Sequence, residues 1–201
     1  IWQLQGEPER AGTSRVLQLR EQQQQFVFVN VPHPPVPSLL RGFSAPVKLD
    51  IDLSDAQLTF LMAHDSDDFN RWEAGQTLAL RLILRLIACW QQGGELQLPA
   101  GFVDAYRRML ANPELDPALL AQALTLPTEV YVAEQMAVVD PDAIHAVREF
   151  MRRELALQLF DDWQRRYHDC QRNGPYQYDA VGAGLRALKN TCLSYLLLSG
   201  R

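Results

Sequence analysis

Near residue 53 the hydrophobic pattern of this chain changes period, and that change limits the folds open to it. Val47-Lys48-Leu49-Asp50-Ile51-Asp52-Leu53 alternates apolar and polar at period two. Alternation of that kind buries one face of a strand. From Ser54 onward the apolar residues recur at spacings of three and four, which stack side chains on one face of a helix. A chain that switches once in this way is a β part followed by an α part.

The β part, residues 1–53, contains two further strand candidates, Ser14–Arg20 and Gln25–Val31, the second rich in β-branched and aromatic residues. Pro32, Pro34, Pro35, Pro37 and Pro46 lie between Gln25–Val31 and Val47–Leu53. Proline removes backbone donors, so this stretch is expected to be a loop or an edge. Three or four strands make only half of an immunoglobulin-type sandwich, which needs about seven. The missing strands are expected upstream of Ile1, and the stop at Gly200-Arg201 also suggests a cut.

The α part, residues 54–201, announces its helix ends. Ser54-Asp55-Ala56-Gln57 fits a capping box. A long helix is expected from about Asp67 to Gln92, stopped at Gly93-Gly94. Asp116-Pro117 and Asp140-Pro141 each place a capping carboxylate before a proline at the first helical position. Ile144, Val147, Met151, Leu155, Leu159, Trp163 and Tyr167 form one sustained stripe, read as one helix ending near Asn173-Gly174-Pro175. A last helix carries Val181, Leu185, Leu188, Cys192 and Leu196. The expected fold is therefore mostly α with an N-terminal β part: a partial β-sandwich, then a superhelical or bundled domain of about seven helices. No clean fixed-period repeat is visible.

Composition excludes some classes. The 201 residues are 47% hydrophobic and 21% charged, ordinary values for a globular chain. A net charge of −5 repels phosphate backbones, so nucleic acid is not an expected partner. The longest apolar run, Leu78 to Trp90, is interrupted by Arg81 and Arg85 and is too short to span a bilayer. No signal peptide is visible. Cys89, Cys170 and Cys192 are scattered and odd in number, which points to a reducing, cytoplasmic compartment rather than a disulfide framework.

The residues of catalysis are hard to find. A helical zinc protease needs H-E-x-x-H, with two imidazoles on one helix face. His33, His64, His145 and His168 do not form it, and none is followed by glutamate. His145 and Glu149, four apart, read as a surface ion pair worth a few tenths of a kcal/mol. In His64-Asp65-Ser66-Asp67-Asp68 the carboxylates fail the EF-hand pattern, because Asn70 and Gln76 stand where glycine and glutamate are required. The cluster reads instead as capping of the helix that follows. Cys89 reads as a core residue, and Gly182 and Gly184 as a helix start or a close helix contact. Arg152-Arg153 and Arg165-Arg166 read as solvated faces. Asp161 and Asp162 diverge by about 100° on a helix and cannot easily share a substrate. There is no G-x-S-x-G, no P-loop and no dinucleotide fingerprint.

One group of segments carries a specific resemblance. Phe43-Ser44-Ala45-Pro46-Val47-Lys48-Leu49, Gln57-Leu58-Thr59-Phe60-Leu61-Met62, and His64 through Gln76 with its D-S-D-D-F-N-R-W-E-A-G-Q core resemble the bacterial aminopeptidase N family. The stretches Val36–Leu40, Asp116–Leu119 and Leu124–Pro127 do so too, so the resemblance covers nearly the whole chain. It implies that residues 1–53 end a small β-sandwich domain and that residues 54–201 begin a C-terminal helical domain. It also implies a parent that removes N-terminal amino acids from peptides with zinc, held by H-E-x-x-H and a downstream glutamate, and a G-A-M-E-N segment that grips the free amine. Neither motif occurs in this sequence, so the segment is expected to have no catalytic residue and no metal ligand. Its implied role is architectural: packing on the catalytic zinc domain of the same polypeptide and helping to enclose the active site that receives peptide substrates. Arg71 and Trp72 are candidates for the joint between the two domains. Which residues touch substrate is not legible. The competing reading is a free-standing helical scaffold that binds a protein partner.

Overall fold

The structure is a computed structural model and describes residues 3–6, 14–172 and 174–200. It divides into two compact units, residues 1–37 and residues 38–201. In the first, strand β1 (Gln3–Leu4) pairs antiparallel with β2 (Phe28–Val29), in a register that sets Gln3 opposite Val29 and Leu4 opposite Phe28. Gln5 N–H donates to Val27 O at 2.9 Å and extends the pair by one bond. The expected strands at 14–20 and 47–53 do not form. Val16 and Leu19 are 81% and 70% exposed, and Val47, Leu49 and Ile51 also face solvent. Alternation marks a face to bury, but a strand needs a partner ladder, and among the described residues none lies beside these segments.

Among its described residues the second unit holds eight α-helices. They are α1 (Asp55–His64), α2 (Asp68–Gln91), α3 (Ala100–Ala111), α4 (Pro117–Ala123), α5 (Glu129–Glu134), α6 (Pro141–Gln158), α7 (Phe160–Asp169) and α8 (Ala180–Leu198). The caps follow the sequence closely. Ser54 makes both halves of its capping box with Gln57. Asp67, Asp116, Asp140 and Asp179 each accept backbone N–H groups of the helix they start. Gly93, with φ of 71°, follows the C-cap of α2.

The stripe from Ile144 to Tyr167 is not one helix. It breaks at Leu159, whose φ of −119° and ψ of 21° leave the helical region. Leu159 N–H still donates to Leu155 O at 3.2 Å, and the Trp163 indole reaches back to the same carbonyl at 3.0 Å. The buried stripe therefore runs through the bend. The second helix ends at Asp169 rather than near Gly174, and Asn173 lies outside the described residues.

Helix α2 is the centre of the unit, packed on α1, α4 and α6, while α8 packs on α4, α6 and α7. Trp163, Tyr106 and Phe102 are the largest fully buried side chains. Trp163 stacks flat on Tyr195, centroids 4.2 Å apart at 5°, and meets Tyr106 edge-on at 6.4 Å. Tyr195 Oη donates to Leu124 O at 2.9 Å, so its buried hydroxyl is satisfied. Gly184 lets α8 approach the start of α4: a Cβ there would lie 3.1 Å from Ala118 N. Among the described residues no helix is long and apolar enough to cross a membrane.

Candidate functional site

A dense polar constellation occupies the corner between α1 and α2, where the segment from Ser38 to Phe43 lies across the helix ends. Asp65, the C-cap of α1, is buried. Its Oδ1 accepts from Arg41 Nη1 at 2.6 Å and from Asp67 N–H at 2.9 Å. Arg41 also donates to Ser66 Oγ at 2.8 Å and to Ser38 Oγ at 3.0 Å. Asp67 caps α2 through Asn70 N–H at 3.0 Å, and its second oxygen accepts Gly42 N–H at 2.9 Å. Burial tends to raise the Asp67 carboxyl, but the N–H groups of Asn70 and Gly42 and the Arg41 charge outweigh it and hold the group below the usual range. Asn70 Nδ2 donates to Ser38 Oγ and Leu39 O. The acidic cluster thus does cap a helix, as its spacing suggests, and it also holds the segment that precedes α1.

Arg71 is buried and spans the corner from inside, donating to Ala63 O at 3.2 Å and to Asp65 O. Burial lowers its pKa, with Asp68 and then Asp65 opposing that effect. Trp72 is half-buried and meets Phe69 at 5.5 Å, which in turn meets Phe43 at 4.6 Å. The row Phe43, Phe69, Trp72 is therefore an aromatic strip at the corner. Sequence reasoning missed Arg41, Ser38 and Asn70. The available signal was a lone cation, Arg41, preceding an acidic run about two dozen residues away.

The other sequence candidates are dispersed. His145 Nδ1 lies 3.0 Å from Glu129 Oε1, not on Glu149, which pairs with Arg152 at 2.8 Å. The i, i+4 spacing is correct, but α5 presents a carboxylate to His145. Cys89 is half-buried, its Sγ 3.4 Å from Glu95 O, so it is at the edge of the core. Gly182 and Gly184 both lie in the first turns of α8, and Gly184 makes the close contact with α4. Arg165 is exposed, but Arg166 is buried against Asn112 O at 3.3 Å, because adjacent helical residues point about 100° apart. Asp162 pairs with Arg107 and Arg165.

The described residues do not fit a zinc ion. His64 lies against Phe60, His145 against Glu129 and His168 against Tyr167, on three different helices. Among the described residues no group of three or more His, Cys, Asp or Glu side chains is placed to hold a metal.

Residues 55–201 match the family model described as "Domain of unknown function (DUF3458_C) ARM repeats". The chain belongs to that family. Residues 2–52 of this DUF3458_C chain match a second model, "Domain of unknown function (DUF3458) Ig-like fold". These descriptions agree with an Ig-like β part ahead of stacked helices. The chain is 44% identical over 181 residues to aminopeptidase N of Escherichia coli (strain K12) and 40% identical over 184 residues to aminopeptidase N of Caulobacter vibrioides. The same name belongs to a Haemophilus influenzae relative, 38% identical over 183 residues. Those alignments take in 90–91% of this chain. Among solved structures, aminopeptidase A of Legionella pneumophila, crystallised with aspartic acid, matches with a TM-score of 0.71 and 30% identity over 88% of the chain. The DUF3458_C chain is a homologue of bacterial aminopeptidase N, as its motifs imply. It spans 21% of the length of the curated relatives it matches.

Proposed function

We propose that this chain is a non-catalytic, architectural segment of a zinc-dependent aminopeptidase, a polypeptide that removes N-terminal amino acids from peptides. One observation carries the reading. The chain aligns with aminopeptidase N over nine-tenths of its own length, yet offers no described cluster that fits the zinc such a parent uses. In this reading the metal and the peptide-cleaving groups belong to the catalytic domain of the same polypeptide. Residues 1–53 close the small β domain, residues 54–201 begin the helical domain, and the corner carrying Arg71 and Trp72 serves as their joint. The proposed compartment is cytoplasmic, on the strength of three scattered, unpaired cysteines.

The test has two arms. The purified chain, supplied with zinc and an aminoacyl chromogenic substrate, is expected to show no turnover. The parent polypeptide carrying Arg71→Ala is expected to keep its zinc stoichiometry while losing thermal stability. Chelator-sensitive turnover by the chain alone, or tightly bound zinc at one ion per chain, overturns the reading.

A further inference from the structure

We propose that residues 38–43 and the first turn of α2 form one latch, closed by a polar clamp against backbone strain and opening as a unit. The strain is local. Leu40 (φ 55°, ψ 29°) and Phe43 (φ 55°) both occupy the left-handed region. Residues with side chains stay there only where the surroundings over-determine them. At Phe43 apolar burial supplies little of that constraint, since Phe43 is 73% exposed and its ring partner Phe69 is 40% exposed, while Leu40 is half-buried.

What remains is the clamp. Arg41 holds Asp65, Ser66 and Ser38; Gly42 N–H holds Asp67; Ser38 and Leu39 hold Asn70. Asp65 makes this clamp expensive to open. Its side chain is 1% exposed, and of its two oxygens Oδ2 has no partner, so Arg41 is the cation that compensates its charge directly. Arg71 donates to the Asp65 main-chain carbonyl and meets the Asp65 charge without a direct ion-pair contact.

The coupling to α2 follows from shared residues. Asp67 is at once the N-cap of α2, through Asn70 N–H, and the acceptor for Gly42 N–H. Asn70 is at once the capped residue and the donor to Ser38 and Leu39. Lifting the segment removes partners from both members of the cap, so the first turn of α2 loosens with it. Such units with little buried apolar contact are where proteins open locally.

Amide hydrogen exchange on the whole chain tests this. Arg41→Gln removes the charge from the clamp, and Ser38→Ala removes the hydroxyl shared by Arg41 and Asn70. Neither change touches the amides of Gly42, Asn70 or Arg71. Losing a charged hydrogen bond corresponds to roughly a tenfold or larger shift in a local opening equilibrium. With Arg41→Gln, the amides of Gly42, Asn70 and Arg71 are expected to exchange faster by a common factor of that order. With Ser38→Ala they move together by a smaller factor, while amides of α6 and α8 stay unchanged. Faster exchange at Gly42 alone shows the segment opening without the helix and overturns the proposal. So does no change in either variant, or an equal rise at every amide in both.

Discussion

Replacing Trp163 tests whether the bend at Leu159 is held by packing alone or also by a specific bond. The indole is fully buried, donates to Leu155 O at 3.0 Å, and lies flat on Tyr195 at 4.2 Å. In Trp163→Phe the flat contact can persist, but the donor is lost. A hydrogen bond of this kind contributes about 1 kcal/mol. Leu155 O keeps its bond from Leu159 N–H, so the carbonyl is not orphaned and the low end of the range applies. The smaller ring leaves a void on the order of 1–2 kcal/mol in cost. With about 0.5 kcal/mol for the bond, the sum is a loss of about 1.5–2.5 kcal/mol. Trp163→Ala removes the stack as well and is expected to lose about 5 kcal/mol. The assay is urea unfolding of the chain followed by far-UV circular dichroism, because four tryptophans make fluorescence ambiguous. A phenylalanine variant within about 0.5 kcal/mol of the parent, or an alanine variant no worse than phenylalanine, refutes the assignment.

Three further outcomes are expected. Gly184→Ala places a methyl 3.3 Å from Ala118 Cβ and is expected to lower the melting temperature, whereas Gly75→Ala makes only an ordinary contact with Met62 at 3.5 Å and gains up to about 1 kcal/mol from helix propensity; differential scanning calorimetry orders the two, and the opposite order defeats the packing argument. The Asp67 carboxyl is held below its ordinary 3.8, so it contributes stability that is complete above that value and lost as pH falls through the lowered folded one; urea midpoints between about pH 2 and pH 6 are expected to fall less steeply in Asp67→Asn, and identical slopes contradict this. Burial, then the neighbouring Cys170, pushes the Cys192 thiol up to about 12, and burial raises Cys170 as well, so a thiol reagent at about pH 8 should label the half-buried Cys89 alone until denaturant exposes all three; rapid labelling of Cys192 in the native chain refutes it.

Much of the helical architecture was legible because its ends are local events. A serine three residues before a glutamine, or an aspartate before a proline, satisfies orphan N–H groups within one turn, and Ser54, Asp116 and Asp140 behave accordingly. The bend at Leu159 was not legible, because apolar spacings of three and four continue through it and one non-helical residue leaves no compositional trace. The strands at 14–20 and 47–53 failed for the opposite reason: their pattern is local, but a ladder is not. The corner at Asp65 was half legible. Its capping role could be read from spacing, while Arg41 lies 24 residues earlier, on the other side of α1, and meets it only through the tertiary fold. Arg166 was misread because neighbouring positions on a helix face different environments, one wet and one dry.

The bend at Leu159 also sets a rule about chain length. Helices α6 and α7 hold their apolar sides in phase across a single irregular residue, so the angular relation between Met151 and Trp163 depends on an exact count. One inserted residue there would rotate everything after it by about 100°. Trp163 would then face outward, and Arg165, now in water, would turn toward the interior. Changes of side chain at this point can be absorbed by repacking; changes in number cannot.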